Sequence, residues 1–449
     1  MKRENFSSRF GALMAMAGSA VGLGNLWRFP YMVGTNGGAA FICIYVLFVF
    51  LLCLPILCAE AMVGRRSQTN AFRAFDRLAP GTPWKWAGIL MVLTPMIVVS
   101  YYSVIGGWSL EYFLKSLMFG FTSDAQSQEC LGEIFGDYIS SVWRPVVEHT
   151  VFLGITAIVV VGGVEKGIER FGKIMMPLLF IIVIAIAVHS LTLPGARDGL
   201  AYLFRPDFSK IDASVCAAAL GQAFFSLSVG FGIMLTYSSY ISRKENIAAS
   251  SAYTAIADFV FAIIASCAIM PAVFSFGLSP QAGPGLVFQT LPFIFSQMPM
   301  GGIVAILFFL ALLVAALTSS VSIFEVGVAY LVEERHLTRR TAALVVYVVT
   351  WTVGVLCSFS FGPLSEFLVL GDTIFDFLDK ISANVLMTAG ALLIVLFVGW
   401  KMKRSDVRDE FTNGGTLPVN DRLFPWLYFM IRYVAPLAIA LILVSGLLP

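Results

Sequence analysis

Residues 17–31 read Ala17-Gly-Ser-Ala-Val-Gly-Leu-Gly-Asn-Leu-Trp-Arg-Phe-Pro-Tyr31, which sets Gly18, Gly22 and Gly24 beside Asn25 and Arg28. Each glycine weakens a helix by about 1 kcal/mol. Where a helix gives way, its last carbonyls lose their partners and become oxygen donors for a hard cation. The amino end of the following half-helix offers N–H groups and positive dipole to a carboxylate. The theme returns in Gly221-Gln-Ala-Phe-Phe-Ser-Leu-Ser-Val-Gly-Phe-Gly232, with Ser226, Ser228, Gly230 and Gly232 at its centre. Ala315-Ala-Leu-Thr-Ser-Ser320 adds three adjacent hydroxyls, and Asp258 places a carboxylate roughly 10 Å inside an apolar run at 1.5 Å per residue. The competing readings are helix-packing glycines and hydroxyls bonded back to their own helix. Packing glycines need no neighbouring Asn, Arg and Ser, so a cation- and carboxylate-binding site is the stronger expectation. Glu60 and Glu325 also lie in apolar runs, and Glu60, close to Gly64, suits a structural role as well as a functional one.

Groups of this kind must be carried on helices through lipid. Of 449 residues, 58% are apolar and 12% charged, against about 45–50% and about 25% in soluble chains; the mean hydropathy is +0.86. That excludes a soluble domain and a disordered chain, and a net charge of +2 argues against nucleic acid as a partner. A span needs about 20 mostly apolar residues. Eleven stretches qualify: 10–34, 38–63, 87–119, 146–162, 174–191, 213–240, 251–276, 301–332, 341–358, 368–399 and 424–447. None alternates like a barrel strand, so an all-α polytopic membrane protein of eleven transmembrane helices is expected, in contact with the lipid bilayer throughout.

The cations orient it. The N-terminus (Lys2, Arg3, Arg9) and loops 64–85, 163–173, 241–246, 333–340 and 400–423 carry 21 of the 29 Lys and Arg residues. The opposite loops carry Lys115, Arg144, Arg197, Arg205 and Lys210, while Arg28, Lys380 and Arg432 fall within spans. A cytoplasmic N-terminus and external C-terminus follow, and the short loops suggest a bacterial inner membrane. The first span has no convincing cleavage site and is expected to be retained. Cys130 lies alone in loop 120–145 while the other six cysteines lie in spans, and His149, His189 and His336 are scattered near helix ends, where surface or interfacial positions are expected. No disulfide framework or zinc spacing is present.

The glycine-broken segments fall in spans 1 and 6. Five spans apart is an odd number, so the second set of five enters the membrane from the opposite face. Paired broken spans in two inverted halves point to the binding site of a secondary transporter. The expected organisation is a single transporter domain over 1–449, with one five-helix repeat over 10–191, its inverted counterpart over 213–399, and an eleventh helix at 424–447.

The segment 18–31, with Asn36-Gly-Gly-Ala-Ala-Phe41, Gly64-Arg65, Ala282-Gly-Pro-Gly-Leu286 and Leu317-Thr-Ser-Ser320, closely resembles the signature of the neurotransmitter:sodium symporters, over essentially the whole chain. Their fold is that of the bacterial leucine transporter. The resemblance implies two sodium ions and no organic cofactor. The first ion would be bound by the Ala20 carbonyl, Asn25, Ser226 and Asp258 with the substrate carboxylate. The second would take the carbonyls of Gly18, Val21 and Ala315 and the hydroxyls of Thr318 and Ser319. It implies a substrate pocket of Ala20, Gly22, Gly24, Val98, Tyr102, Phe225, Ser226, Ser228, Phe231, Ser319 and Ile323, with the Tyr102 hydroxyl on the substrate carboxylate. An external gate of Arg28 and Asp379 with Gln222 between them, and an internal gate of Arg3 and Glu333 near Tyr240, complete the set. Asp258 stands where many members have asparagine. An added carboxylate beside the ion could replace the charge that chloride supplies elsewhere, so chloride independence is expected. Ser19, Phe6 and Glu333 replace an asparagine, a tryptophan and an aspartate of the leucine transporter.

Monoamine carriers of this family hold the amine with an aspartate at the position of Gly22. The glycine is expected to leave that space open, so the substrate should bring its own carboxylate: an L-α-amino acid. Val98, Phe231 and Ile323 would leave a charged side chain unpaired, so a hydrophobic or aromatic one is expected. Shared ligands at the first ion site make sodium and substrate raise each other's affinity equally, and the bundle of spans 1, 2, 6 and 7 would rock against the rest. No enzymatic activity is expected. The rival readings are a proton-coupled or exchanging carrier of the same fold with Asp258 as proton site, and an amino-acid sensor that does not transport. Nothing in the sequence sets an oligomeric state.

Overall fold

A computed structural model describes residues 4–119, 121, 127–278 and 286–447. Among them the chain is helical, and one isolated bridge, Val369 with Asp372, is its sole extended pairing. The first apolar stretch is split into α1 (Arg9–Ala20) and α2 (Gly24–Thr35), bent by 47° at the break. Next come α3 (Ala39–Ser67), α4 (Lys85–Leu117), α5 (Arg144–Val161) and α6 (Val164–Ser190). The sixth stretch is again two helices, α7 (Ala213–Ser226) and α8 (Ile233–Ser238). The rest are α9 (Ile247–Ser275), α10 (Gly301–Glu334), α11 (Arg339–Phe359), α12 (Ile374–Lys401) and α13 (Pro418–Val444). Nine described helices are long and apolar enough to cross a membrane, ten with the bent pair; α7 is shorter. Each of the eleven expected stretches contains helix, but the first and sixth are broken, and α7 and α8 are too short to span singly.

Polar side chains set many of the starts by accepting the orphan N–H groups of a first turn: Ser8 for α1, Asp212 for α7, Asn246 for α9, Thr338 for α11 and Thr373 for α12. Thr373 explains why α12 begins at Ile374 and not at 368, since the residues before it form the turn around Gly371 at φ +95°. The expected loop 163–173 is helical instead. Gly163 at φ +87° turns the chain, and a π-helical turn from Val164 to Glu169 runs straight into the span. Its charges misled the boundary because Glu169 is paired internally with Lys173 while Glu165, Lys166 and Arg170 stay exposed on the helical turns that carry them. Loop 120–145 holds a helix at Gln128–Ser140; residues 120 and 122–126, and 279–285 with most of the Ala282–Leu286 motif, lie outside the described residues. His149 is buried, packed against Gly354, and is a core residue and not an interfacial one.

The long helix α10 packs along α4, α5 and α6, while α1 lies against α6, α9 and α10. This leaves the two breaks facing each other at the centre. The second break needs left-handed backbone at Ser228 (φ +51°), Gly230 (φ +83°) and Gly232 (φ +70°). At Gly230 a Cβ would also overlap the Met387 carbonyl of α12, so only glycine fits there. Glu60 of α3, fully buried, accepts the Gly230 N–H at 2.6 Å. Of its two expected roles, the structure assigns it the structural one: it holds the unwound strand of the second break.

Candidate functional site

Where α1 ends, Val21 turns extended (ψ 100°), and the last carbonyls of the helix are left without helical partners. Between this break and the second lies a small cavity of about 30 Å³, room for about a water or two. Ser19, Ala20, Gly22, Leu23 and Gly24 form one wall and Phe225, Ser226, Ser228 and Phe231 the opposite one. Val98 and Tyr102 of α4, with Ser319 and Ile323 of α10, complete it. All eleven residues expected in the pocket therefore line one cavity, and Ser19 and Leu23 join them.

Polarity is segregated within it. Val98, Phe231 and Ile323 are apolar and buried. The Tyr102 hydroxyl is buried beside the Ser319 hydroxyl and the Leu23 backbone but makes no well-formed hydrogen bond, and a buried donor left poorly matched costs about 1–3 kcal/mol unless a ligand meets it. Contrary to expectation, Gly22 does not face open space. A Cβ there would fall on the Ser319 hydroxyl and lie 3.4 Å from the Tyr102 hydroxyl. The glycine instead lets the broken backbone approach two hydroxyls. Gly24 does the same for the Phe225 ring, 3.3 Å from where its Cβ would be.

Behind Ser226, which lines the cavity, lies a cluster of oxygens. Asn25 Nδ2 donates to Asp258 Oδ1 (2.8 Å), to the Asp258 carbonyl (3.2 Å) and to Ser226 Oγ (3.2 Å). Ser226 Oγ donates to Asp258 Oδ1 at 2.8 Å, and the Gly22 N–H donates to Asn25 Oδ1 at 3.0 Å. Asn25, Ser226 and Asp258 are thus brought together beside Ala20, on four separate elements. To turn its amide oxygen toward a cation, Asn25 must rotate and release Gly22. Among the described residues no three His, Cys, Asp or Glu side chains cluster as a metal site. One carboxylate among neutral oxygens suits a weakly held monovalent cation better than a transition metal.

The second oxygen set is equally close. Thr318 Oγ1 donates to the Ala315 carbonyl at 3.0 Å, leaving its own lone pairs free. A Cβ on Gly18 would lie 3.5 Å from the Thr318 Cβ. Val21 and Ser319 complete the expected five, and all are buried.

The gates are placed differently from expectation. Among the described residues no ion pair joins Arg28 to Asp379. Arg28 lies over the Phe225 ring, 4.5 Å from its centroid, and Gln222 donates to the Gly24 carbonyl at 3.3 Å. Arg28, Phe225, Ala218 and Asn384 line a wider cavity of about 310 Å³, and the Arg28 charge acts on the Asp379 carboxylate without an ion pair between them. At the other end, Arg3 lies outside the described residues. Glu333 accepts from the Asn70 N–H (2.7 Å) and side chain (3.0 Å). The Tyr240 hydroxyl donates to Glu325 (2.8 Å), which Arg339 pairs at 2.5 Å.

Sequence reasoning missed Tyr45, whose hydroxyl donates to Asp258 Oδ2 at 2.9 Å. A tyrosine in an apolar span carries one polar atom, and no charge or glycine pattern marks it. It also missed Glu169 and the Arg65–Glu410 pair.

With this geometry in view, likeness to known proteins is informative. A profile described as the sodium:neurotransmitter symporter family matches residues 3–135 and 133–448. The chain is 40% identical over 444 residues to an uncharacterised sodium-dependent transporter of Bacillus subtilis, YhdH, covering 99% of this chain and 98% of that one. It is 34% identical over 455 residues to an uncharacterised sodium-dependent transporter of Haemophilus influenzae, at 99% and 98% coverage. Among solved structures, that of MhsT in complex with L-phenylalanine superposes with a TM-score of 0.90 at 43% identity, covering 99% of this chain and all of the other. These relatives are membrane transporters and not enzymes, and the chain belongs to the sodium:neurotransmitter symporter family.

Proposed function

We propose that the protein is a symporter that imports hydrophobic or aromatic L-amino acids with sodium, independently of chloride, by alternating access. The observation that carries this reading is the buried Tyr102 hydroxyl, without a well-formed hydrogen bond, in a central cavity whose other walls combine apolar Val98, Phe231 and Ile323 with serine hydroxyls. It offers a donor to a carboxylate beside the oxygen cluster of Asn25, Ser226 and Asp258. The substrate carboxylate would share the first sodium with that cluster and the Ala20 carbonyl, while its side chain lies against Val98, Phe231 and Ile323. The second sodium would take the carbonyls of Gly18, Val21 and Ala315 with Thr318 and Ser319. MhsT, 43% identical, is a protein solved with L-phenylalanine bound, which supports an amino acid of this type.

Mechanism follows from these contacts. Sodium neutralises Asp258 and draws the Asn25 oxygen inward, freeing the Gly22 N–H for the substrate carboxylate, so ion and amino acid each prepare the other's site. The Asp258 carboxylate supplies the negative charge that would otherwise call for chloride. The cavity is too small for an amino-acid side chain, so binding requires Phe225 and the second break to move. A membrane potential contributes about 2.3 kcal/mol per charge per 100 mV to inward movement. We assign the repeats to 10–191 and 213–399, and the N-terminus to the cytoplasmic side of an inner membrane.

The test is uptake of radiolabelled leucine, phenylalanine and tryptophan into proteoliposomes, with an inward sodium gradient against an equal potassium one. Sodium-dependent accumulation, retained when gluconate replaces chloride, is the expected result. Equal uptake in both would overturn sodium coupling in favour of a proton-coupled carrier. A large loss in gluconate would overturn chloride independence alone.

A further inference from the structure

The segment before α1 is tied to α6 more heavily than a chain end requires. The Glu169 carboxylate, fully buried, accepts from the Ser7 N–H (2.6 Å), the Ser7 hydroxyl (2.8 Å) and the Ser8 hydroxyl (2.7 Å), and pairs with Lys173 at 2.6 Å. Gly11 completes the cradle, because a Cβ there would overlap the carboxylate. Glu4 makes the reciprocal tie: its Oε2 accepts the Val164 N–H at 2.6 Å, at the start of the π-helical turn, and lies 3.8 Å from Arg339. A buried carboxylate holding this many donors resists losing any one of them, because the lone pair it frees is left without a partner.

The clip sits at one end of a seam. Three residues along α6, Gly172 lies against α1, its Cβ position 3.4 Å from the Ala15 nitrogen; one turn further, the Met176 sulfur is 3.3 Å from the Cβ position of Gly18. A slit of about 10 Å³ runs along this seam, lined by Ala15, Gly18, Gly172, Tyr237, Thr318 and Ser322. It begins near the clip and ends at Gly18 and Thr318, the groups assigned to the second sodium. Opening that seam would give this ion a route to the N-terminal face.

We propose that Glu169 is a gating residue: by clipping Ser7 and Ser8 to α6 it keeps the α1–α6 seam shut, and the second cation can leave toward the N-terminal face only once the clip lets go. The proposal rests on the alternating-access reading above. Glu169 touches neither ion nor substrate, so it acts by positioning α1.

The experiment uses the full chain, purified and reconstituted in nanodiscs. Reporter substitutions are Ala15→Cys in the seam and Ala218→Cys in the wide cavity on the opposite face. Their reaction with a charged maleimide is followed at each site by peptide mass spectrometry, in potassium and in sodium. Glu169→Gln should raise labelling at the Ala15→Cys site about tenfold in potassium, sodium should reduce it, and the Ala218→Cys site should label at the same rate or more slowly. Ser7→Ala, which removes one donor without emptying a buried position, should give a two- to threefold rise in the same direction, and it carries the test if Glu169→Gln does not fold. An unchanged rate at the seam overturns the proposal, and so does a parallel rise at both reporters, which means general loosening. Labelling needs no transport. Absent sodium-driven uptake with clip-dependent labelling would overturn the functional reading alone, while uptake with unchanged labelling would overturn the clip alone.

Discussion

The two ends of the central cavity are closed by different amounts of material. Toward the wide cavity of about 310 Å³, the separation from the small central one is essentially the Phe225 ring, partly exposed, with Arg28 resting on it. Toward the N-terminal face the open space shrinks to the slit of about 10 Å³. Beyond it Phe6 sets its ring edge-on against Tyr237 and Tyr240 (5.8 and 6.1 Å), Glu325 holds Tyr240 and Arg339, and Glu169 clips Ser7 and Ser8. A single ring can turn by a rotamer change, whereas buried ion pairs must break together, each leaving uncompensated charge until a new partner arrives. The lesson is an asymmetry: the described conformation is nearer to opening on the vestibule side, and the slower, more costly motion belongs to the N-terminal face.

The most severe test of that asymmetry is Arg65. It is 1% exposed, its Nε pairs with Glu410 at 2.5 Å, and its other nitrogens reach the carbonyls of Glu245 and Glu410. One side chain thereby fastens the end of α3 to the loops before α9 and α13. Arg65→Met should lower stability by about 3–5 kcal/mol, measured by thermal unfolding of the purified protein, and Arg65→Met with Glu410→Leu should recover much of it. A loss under about 1 kcal/mol for the single variant would mean the N-terminal face is not locked in this way.

Next in size is the cavity between the two faces. Tyr102→Phe removes a hydroxyl that makes no well-formed hydrogen bond in the fold, so unfolding should change little. A hydrogen bond to a charged group contributes about 1.5–3 kcal/mol, so uptake at limiting substrate should fall about ten- to hundredfold. Undiminished uptake would remove Tyr102 from the site.

These two residues also mark what the sequence could and could not disclose. The spans were legible because twenty apolar residues in a row are a local property, and the breaks because glycines beside Asn25 and Ser226 have no use in a plain lipid-facing helix. Tyr102 came from the family resemblance. Arg65 was marked by the family resemblance but given no partner and counted with a loop, since Glu410 is 345 residues away. The same blindness hid Glu169 among the charges of 163–173 and Tyr45 among apolar neighbours. It also paired Arg28 with Asp379, which the structure leaves within electrostatic reach of each other but without an ion pair. Burial and pairing at long range decide these cases, and neither is written in the local pattern.

On the vestibule side the effects should be smaller. Phe225→Ala joins the 30 Å³ cavity to the wide one and leaves the oxygen cluster in place. It should weaken retention of substrate, raising KM for uptake about tenfold, or roughly 1.4 kcal/mol, with less effect on the maximal rate. An unchanged KM would mean the closure lies elsewhere, and the vestibule side would no longer be the thinly closed one.

Arg28→Gln should do least. The guanidinium is partly exposed, acts on the Asp379 carboxylate without pairing with it, and makes its close contact with the face of Phe225 at 4.5 Å. Such a contact contributes about 0.5–1 kcal/mol at exposed sites, so thermal unfolding should move by no more than that. The comparison with Arg65→Met is the informative quantity, because both variants remove one arginine charge, one from each face. A severalfold larger loss at Arg65 is what unequal closure requires. Equal losses would show that Arg28 is bound as firmly as Arg65, through partners on its own face, and the two ends of the cavity would have to be regarded as equally costly to open.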